Sequence, residues 1–267
     1  RLAPGTVTGL LGKNGAGKTT LMKCIVGLLQ PTLGECRVLG ERSTGLSPAV
    51  KTAIGYVPQE PIIYPWMRVA QAIAYQGAFY ESWDDDLAAE LLGEFDLEGQ
   101  RRVGSLSVGQ LQKLAILLAM ASRPYVLLLD EPVAALDPES RRDFLRLLLD
   151  MVSEGDRTVL LSTHITSDVE RVCSHVAMLK KGQLLRVDNL DDLRESVKEL
   201  RLSGANSLPD SLLNLPGVLR YSSTDAGAVL VVQGDIPAIA TQIRDSTGVD
   251  LAVVDLSLED VFLELHR

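Results

Sequence analysis

A glycine-rich loop near the start of the chain constrains its fold more than any other feature. Residues 12–19 read GKNGAGKT and fit the phosphate-binding pattern G-x-x-x-x-G-K-[ST]. The apolar residues 6–11 predict a buried strand before the loop, and residues 19–29 predict a helix after it. Glycines let backbone N–H groups turn inward around a phosphate, and the helix presents its positive end to the same anion. The segment therefore predicts a nucleotide-phosphate site between a strand and a helix.

The side chains of this loop have definite chemical tasks at such a site. Lys18 supplies a point charge for the β- and γ-phosphates, and the hydroxyl of Thr19 can ligate Mg²⁺. A glycine-rich turn with an exposed lysine is the structural alternative, which the flanking strand and helix disfavour. The predicted nucleotide-binding residues of the loop are Gly12, Asn14, Gly15, Ala16, Gly17, Lys18, Thr19 and Thr20.

A pair of acids marks a second predicted site. Asp130 ends the apolar run YVLLLD at 125–130, and Glu131 follows it directly. Such a run predicts a buried parallel strand, and ligands of parallel sheets bind beyond the carboxyl ends of the strands. Asp130 is predicted to hold Mg²⁺, mostly through water, and Glu131 to polarise the water that attacks the γ-phosphate. Any sheet rim can carry two acids, so this prediction depends on the phosphate loop.

The order of apolar and amphipathic segments predicts an α/β fold. Strand-like and helix-like segments alternate to about residue 190, which predicts a mostly parallel central sheet covered on both faces. The helix-rich stretch of about 60–123 is predicted to be an inserted helical subdomain. No lysine follows Lys198, and the pattern there predicts a small C-terminal α+β appendage. The expected domains are 1–195 and 196–267.

Composition disfavours several classes of protein. The net charge of −9 and the pI near 4.9 disfavour attraction to nucleic acid, so no nucleic-acid partner is expected. The longest unbroken apolar run is Leu114–Ala121, far short of the roughly 20 residues that a membrane-spanning helix needs. The three cysteines form no C-x-x-C pair and are predicted to be free thiols.

Five segments in order extend the prediction to a family. They are GKNGAGKTT at 12–20, YVPQ at 56–59, LSVGQ at 106–110, VLLLDEP at 126–132 with ALDP at 135–138, and STH at 162–164. Together they resemble the nucleotide-binding subunit of an ABC transporter, and the resemblance covers about residues 5–190. It implies the P-loop NTPase fold, ATP and Mg²⁺ as ligands, and ATP hydrolysis as the activity.

The resemblance also implies roles for individual residues. Glu131 corresponds to the general base and His164 to the histidine that contacts the γ-phosphate. Gln59 corresponds to the glutamine that touches Mg²⁺ and the attacking water and senses the membrane subunit. The residues implied to bind ATP held by a second subunit, or to cross the subunit interface, are Ser107, Gly109, Gln110 and Asp137. The implied catalytic residues are Glu131, His164, Gln59 and Lys18, and the implied Mg²⁺ ligands are Thr19, Gln59 and Asp130.

A second copy of the chain is the expected partner at the nucleotide. Ser107 is predicted to cap a helix whose positive end is then free for a phosphate. Because the phosphate loop leaves one side of ATP open, two copies facing head to tail would bury two nucleotides, as a homodimer. Val108 departs from the glycine usual at that place, and we expect altered affinity or rate. Only eleven residues precede Gly12, so the adenine-stacking aromatic residue and the first strands of the family are expected to be absent from this chain.

Three further segments indicate a branch of the family. Residues 79–95, 166–185 and 256–267 resemble bacterial exporter ATPases of the drug, bacteriocin and cell-wall-antibiotic type. We therefore expect a subunit at the cytoplasmic face of the cell membrane that drives export of an antibiotic, peptide or lipid-like compound through a separate transmembrane permease. The aromatic residues Tyr64 and Trp66, with Met67, would either line the groove for that permease or pack inside the helical subdomain.

Other functions stay open from the sequence. An ABC-type ATPase acting on nucleic acid or the ribosome is the main alternative, although long coiled coils or a second nucleotide domain are not visible. A GTP-dependent switch or small-molecule kinase would share the phosphate loop but leaves LSVGQ and STH unexplained. A non-hydrolysing binding module is disfavoured because Lys18, Asp130, Glu131 and His164 are all present.

Overall fold

The apolar segments around the phosphate loop form the centre of a six-stranded sheet. The computed structural model describes residues 1–153, 155, 157–204, 208–224 and 227–265, which divide into two units, Arg1–Val187 and Asp188–Arg267. The strands that begin in the first unit are β1 (Val7–Leu11), β2 (Arg37–Val38), β3 (Glu41–Arg42), β4 (Ile54–Val57), β5 (Val126–Asp130), β6 (Thr158–Thr163), β7 (His175–Lys180) and β8 (Gln183–Asn189). Its helices are α1 (Lys18–Ile25), α2 (Pro48–Thr52), α3 (Val69–Gly77), α4 (Asp85–Glu94), α5 (Val108–Met120), α6 (Pro138–Ser153) and α7 (Thr166–Val172).

The strand order of this sheet is β4-β5-β6-β1-β7-β8. Every pairing from β4 to β7 is parallel. β1, β5 and β6 are buried along almost their whole length, as expected for parallel strands covered by helices on both faces. The predicted α/β class with a mostly parallel sheet is confirmed, and β1, β5 and β6 end side by side at one edge.

Three helices, α3, α4 and α5, lie between β4 and β5, within the stretch of about 60–123 predicted as a helical insert. Asp84 caps α4 by accepting a hydrogen bond from the backbone N–H of Leu87 at 2.8 Å. The same carboxylate accepts from Arg123 Nε at 2.8 Å. These contacts lower the pKa of Asp84, so its charge is retained. They also tie the start of α4 to the end of the insert.

Two boundaries differ from the sequence expectation. The helix after the phosphate loop ends at Ile25 rather than near residue 29, since Gly27 has a φ of 77° and the amides of Leu28 and Leu29 both bond to the carbonyl of Lys23. The two units divide at residue 188, whereas the expected domain boundary was 195/196. Sequence patterns locate elements better than their ends, because caps and tight turns decide where an element stops.

The second unit contains a four-stranded antiparallel sheet and confirms the predicted small α+β region. Its elements are α8 (Leu190–Ser196), β9 (Val197–Ser203), α9 (Asp210–Leu213), β10 (Val218–Thr224), β11 (Gly227–Gln233), α10 (Ile236–Thr247), β12 (Leu251–Asp255) and α11 (Leu258–Leu265). The strand order is β10-β11-β9-β12. Leu200, Leu230 and Ile243 are fully buried in its core, where α10 packs on one face of the sheet. This unit has its own hydrophobic core.

Within the ranges that the structure describes, no helix is both long and apolar enough to cross a lipid bilayer.

The close approach at Gly55 in β4 gives a test of the packing. A Cβ there would lie 2.8 Å from Leu127 Cδ1 and 2.9 Å from the carbonyl oxygen of Ala119. Gly55→Ala is therefore expected to lower the free energy of unfolding by about 1–3 kcal/mol through overpacking. Both tryptophans, Trp66 and Trp83, lie in the first unit, so their fluorescence in a urea titration reports its unfolding.

Gly93 is the matched control for this substitution. It lies in α4, and nothing is within 4 Å of the position its Cβ would take. Gly93→Ala is expected to stabilise the first unit by roughly 0.5–1 kcal/mol, because alanine has the higher helix propensity. Equal effects of the two substitutions would contradict the packing described around Gly55.

Candidate functional site

The phosphate loop encloses an open cavity in the first unit. Gly17, the N-cap of α1, has a φ of 105°, a backbone conformation that residues other than glycine rarely adopt. The loop is held by hydrogen bonds from the amide of Ala16 to the carbonyl of Lys13 at 3.0 Å, and from the amide of Gly182 to the carbonyl of Ala16 at 2.9 Å. The cavity measures about 270 Å³. Its lining residues are Asn14, Gly15, Ala16, Gly17, Lys18, Thr19, Thr20, Gln59 and Glu131.

Gly12 lies at the base of the loop and does not line this cavity. A Cβ on Gly12 would lie 2.7 Å from the carbonyl oxygen of Leu179, so the backbone packs too closely for a side chain. Its own carbonyl accepts a hydrogen bond from Lys18 Nζ at 2.8 Å. Gly12 thus positions the ammonium group of Lys18.

Lys18 also forms an ion pair across the cavity with Glu131. Its Nζ lies 3.3 Å from Glu131 Oε1, and each side chain is only 7% exposed. A buried ammonium group is stable only when it is paired and hydrogen-bonded. The base of the cavity therefore holds a positive charge that a carboxylate neutralises.

Glu131 is held in place by the end of β6 as well as by Lys18. Ser162 lies opposite Asp130 in the β5–β6 register. The hydroxyl of Ser162 donates to Asp130 Oδ1 at 2.7 Å and accepts from the amide of Glu131 at 3.1 Å. Glu131 has a φ of 51°, a strained conformation for a residue other than glycine. The chain therefore turns sharply where the strand ends and brings the Glu131 side chain to the cavity.

His164 completes a cluster of three charged or titratable groups. Its Nδ1 lies 2.8 Å from Glu131 Oε2, so Lys18 and His164 contact the two different oxygens of one carboxylate. The His164 side chain is 52% exposed, whereas that of Glu131 is 7% exposed. The carboxylate can accept a proton, and the exposed imidazole can reach a group that enters from solvent.

Asp130 has the properties expected of a ligand for a hard cation. It is fully buried, and its Oδ2 has no hydrogen-bond partner among the described residues. Burial and the nearby charge of Asp130 raise the pKa of Tyr56 to about 12, so the phenol stays neutral. An unpartnered carboxylate oxygen fits Mg²⁺, which prefers oxygen ligands. Asp130 itself is not among the residues that line the cavity, although Glu131, the next residue, is. Thr19 and Gln59 both line the cavity.

The start of α5 carries the LSVGQ residues. Ser107 Oγ accepts from the amide of Gln110 at 3.2 Å, and Gln110 Oε1 accepts from the amide of Ser107 at 3.1 Å, which is a capping box. The predicted N-cap is confirmed. Val108 is 74% exposed, and a Cβ on Gly109 would lie 2.7 Å from the carbonyl oxygen of Ala135. The start of this helix is therefore packed against the segment that leads to Asp137.

Asp137 caps α6. Its Oδ1 accepts from the amides of Glu139 and Ser140 at 3.1 and 3.0 Å, and its Oδ2 accepts from the Ser140 hydroxyl. These hydrogen bonds, led by the Ser140 hydroxyl, hold the pKa of Asp137 at about 2. Neither Asp137 nor the residues at the start of α5 belong to the lining of the phosphate cavity in the described part of the chain. The sequence-predicted site residues thus form two groups on one chain.

Sequence reasoning missed Ser162 and Tyr56 as parts of the site. Ser162 bridges Asp130 and the backbone of Glu131, and the STH segment contained the signal for it. Tyr56 lies in β4 next to β5, and its position beside Asp130 follows only from the strand order.

Comparisons with known proteins agree with this geometry. The profile of the family described as ABC transporter matches residues 1–134. An ABC transporter ATP-binding protein of Alkalihalophilus pseudofirmus is 31% identical over 96% of this chain and 97% of its own length. The bacitracin transport ATP-binding protein BcrA of Bacillus licheniformis is 28% identical, over 98% of this chain and 88% of its own. The Nod factor export ATP-binding protein I of a Rhizobium species is 30% identical, over 99% of this chain and 89% of its own.

Solved structures show the same similarity. A structure of the ATP-binding subunit of an ABC transporter has a TM-score of 0.67 and 29% identity, and the match covers 73% of this chain and 82% of that one. A dimeric ATP-binding cassette in a post-hydrolysis state, bound to ADP and Pi, has a TM-score of 0.64 and 25% identity, with 71% of this chain and 88% of that chain covered.

The cap at Asp137 gives a pH-dependent test of the site. The pKa of this carboxylate is depressed to about 2 from 3.8, so its charge contributes stability above pH 4, and that contribution is lost as the pH falls toward 2. Asp137→Ala is expected to lower the free energy of unfolding at pH 7, because α6 loses its cap, and the difference from wild type should shrink below pH 4. Denaturant unfolding followed by tryptophan fluorescence at several pH values measures this.

Asp137→Asn is the matched control, because asparagine keeps the oxygen that accepts from the two amides and replaces the oxygen beside the Ser140 hydroxyl by an uncharged NH2 group. It is expected to cost less than half as much as the alanine substitution. A wild-type advantage over Asp137→Ala that grows as the pH falls from 7 to 3 would contradict the cap.

Proposed function

We propose that this chain, which belongs to the ABC transporter family, uses its ATPase activity to drive export of a compound through a separate membrane subunit. As an ABC ATPase, the chain binds and hydrolyses ATP. The observation that carries the residue assignment is the cluster at the phosphate cavity, in which Lys18 and His164 contact opposite oxygens of Glu131.

Nucleotide binding is assigned to the loop and the start of α1. The loop and the first residues of the helix line the cavity, where their backbone amides would hold the β- and γ-phosphates. The ammonium group of Lys18, which Gly12 positions, adds the point charge. Asp130, Thr19 and Gln59 would hold Mg²⁺, which when bound neutralises charge on the phosphate oxygens.

Hydrolysis is assigned to Glu131 as the general base. A γ-phosphate in the cavity competes with Glu131 Oε1 for the ammonium group of Lys18. When Lys18 turns to the phosphate, Oε1 is free to accept a proton from a water molecule, and Gln59 at the cavity wall can orient that water. His164 stays beside Oε2 and offers its half-exposed imidazole to the phosphate. Lys18 and His164 then stabilise the charge of the transferring group.

The partner at the nucleotide is a second copy of the chain. The phosphate cavity is open to solvent, whereas Ser107, Gly109, Gln110 and Asp137 lie outside its lining. The capped N-terminus of α5 is a suitable anion site on the facing copy. A head-to-tail pair would complete both cavities, and loss of the γ-phosphate would open the pair.

Export is supported by relatives and by an exposed aromatic surface. The bacitracin transport and Nod factor export proteins are relatives over nearly the whole chain. Tyr64, Trp66, Tyr75 and Phe79 form a connected row of rings with centroids 4.8–5.7 Å apart, and Trp66 is 65% exposed. An exposed apolar row of this kind is typical of protein–protein contacts. The row follows Gln59 in the chain, and we assign it to the permease, which would hold the chain at the cytoplasmic face of the membrane.

Substitution of the general base tests the hydrolysis step. Glu131→Gln removes the proton acceptor while keeping the side-chain shape, so kcat for ATP hydrolysis is expected to fall on the order of 10²- to 10⁴-fold. ATP with Mg²⁺ should then hold the variant as a dimer of twice the mass, measured by sedimentation. Glu94→Gln, an exposed acid on α4, is the control and should leave both measurements unchanged. Normal hydrolysis by Glu131→Gln would remove Glu131 from this role.

Substitution of Trp66 tests the membrane contact. Trp66→Ala removes the most exposed ring of the aromatic row, so the fraction of chain recovered with membranes of its source cells is expected to fall severalfold. Hydrolysis of ATP by the isolated chain should be unchanged. Tyr125→Ala, which removes an aromatic residue that is 62% exposed and outside this row, should keep membrane recovery at the wild-type level. Unchanged recovery of Trp66→Ala would exclude the assigned surface.

A further inference from the structure

A buried ion pair joins the two helices that follow the catalytic cluster. Arg141 Nε donates to Asp168 Oδ1 at 2.7 Å, and Arg141 Nη2 contacts the same oxygen. The side chain of Asp168 is fully buried, and that of Arg141 is 25% exposed. Burial raises the pKa of Asp168, and the guanidinium of Arg141 opposes that rise. The pair therefore keeps a charge in the interior where an isolated carboxylate would be costly.

Both members of the pair lie one turn from a site residue. The amide of Arg141 donates to the carbonyl of Asp137 at 2.9 Å, in the first turn of α6. The amide of Asp168 donates to the carbonyl of Ile165 at 3.2 Å, in the first turn of α7, and His164 precedes that turn. The pair thus links the segment after Glu131 to the segment after His164.

These links form a closed ring of contacts. The backbone connects Glu131 to Asp137 and α6, and the ion pair connects α6 to α7. His164 lies just before α7, and its Nδ1 contacts Glu131 Oε2 at 2.8 Å, which closes the ring. His164 is half exposed, so packing alone does not fix its position. A hydrogen bond from the amide of Ile165 to Thr163 Oγ1 at 3.0 Å spans the histidine. After the histidine, Asp168 supplies a side-chain tie from α7 to α6.

The geometry of the pair indicates a positioning role more than a stabilising one. Only one oxygen of Asp168 is used, and Oδ2 has no hydrogen-bond partner among the residues that the structure describes. A buried ion pair with an unsatisfied oxygen loses much of its attraction to desolvation, and apolar residues of similar volume are often at least as stable. Unlike the ion pair, apolar residues at these two positions would not fix the register of α6 against α7.

We propose that Arg141 and Asp168 are positioning residues for ATP hydrolysis, because their ion pair fixes α7 against α6 and so holds His164 at Glu131. The inference rests on the proposed roles of Glu131 and His164. Neither Arg141 nor Asp168 lines the phosphate cavity. Their loss should therefore slow the reaction of bound ATP and leave its binding unchanged.

The test measures steady-state ATP hydrolysis by the full chain with Asp168→Asn, Arg141→Gln and both together. Each single variant is expected to lower kcat roughly 10- to 100-fold, the effect of misplacing a catalytic group by about 1 Å. The KM for ATP should stay within about twofold. The double variant should be as slow as the slower single variant, because one link is lost in every case. Losses that multiply, or a KM that rises as much as kcat falls, would overturn the proposal.

Controls separate positioning from folding. Arg142→Gln and Asp143→Asn make the same charge changes on the exposed side of α6 and should keep wild-type kcat. Arg141→Met with Asp168→Leu replaces the pair by apolar side chains that are expected to preserve stability, checked by tryptophan fluorescence. That stable variant should still hydrolyse slowly, and a wild-type rate would overturn the proposal.

Glu131→Gln, assayed in parallel, distinguishes a failure of the positioning role from a failure of the proposed function. If Glu131→Gln slows hydrolysis and the pair variants do not, the positioning role is wrong and the proposed function stands. If Glu131→Gln hydrolyses normally, the proposed role of Glu131 is wrong, and the positioning role that depends on it is overturned with it.

Discussion

The contact between Lys18 and Glu131 is the interaction on which the rest of the site depends. It places a buried ammonium group and a buried carboxylate at 3.3 Å, where the ends of β1 and β5 face the phosphate cavity. Each charge is tolerated in the interior because the other is present. A phosphate that enters the cavity offers Lys18 a second anion, so binding can exchange one partner of the ammonium group for another, while His164 stays beside the other oxygen of Glu131. The same exchange frees a carboxylate oxygen for proton transfer.

The parallel sheet explains why these groups meet. β1, β5 and β6 are adjacent and end together, so the phosphate loop, Asp130 with Glu131, and Ser162 with His164 all emerge at one edge. Ser162 then binds Asp130 and the backbone of Glu131 across the two strands. The strained backbone at Glu131 is kept because this bridge and the ion pair to Lys18 hold it from both sides. Function at this edge is therefore a property of strand order and not of any one motif.

Local motifs predicted much of this arrangement. The phosphate loop, the strand ending at Asp130 and the serine cap of α5 could be read from the sequence because each depends on residues within a few positions of one another. The α/β class and the family followed from the order of such motifs. The end of α1 at Ile25 was missed, although Gly27, which has a positive φ, is the kind of residue that ends a helix. The division into two units at residue 188 falls inside β8 and depends on contacts between distant residues, which no local pattern shows.

Contacts between distant parts of the chain could not be predicted in the same way. Arg141 and Asp168 are 27 residues apart, and only the packing of α6 against α7 brings them together. Asp137 was expected only at a subunit interface, and the structure adds its hydrogen bonds to the start of α6. The roles assigned to His164, Gln59 and the residues at the start of α5 stay predictions, because they concern a nucleotide and a second copy.

Calorimetric titration with a non-hydrolysable ATP analogue and Mg²⁺ tests the exchange of partners at Lys18 most directly. Lys18→Ala should weaken binding on the order of 10- to 100-fold, the loss expected for a hydrogen bond to a charged group. Glu131→Gln should bind at least as tightly as wild type, because the phosphate no longer competes with a carboxylate for the ammonium group. Equal weakening by the two substitutions would contradict the central claim, since Glu131 would then be part of the binding site and not a competitor for Lys18.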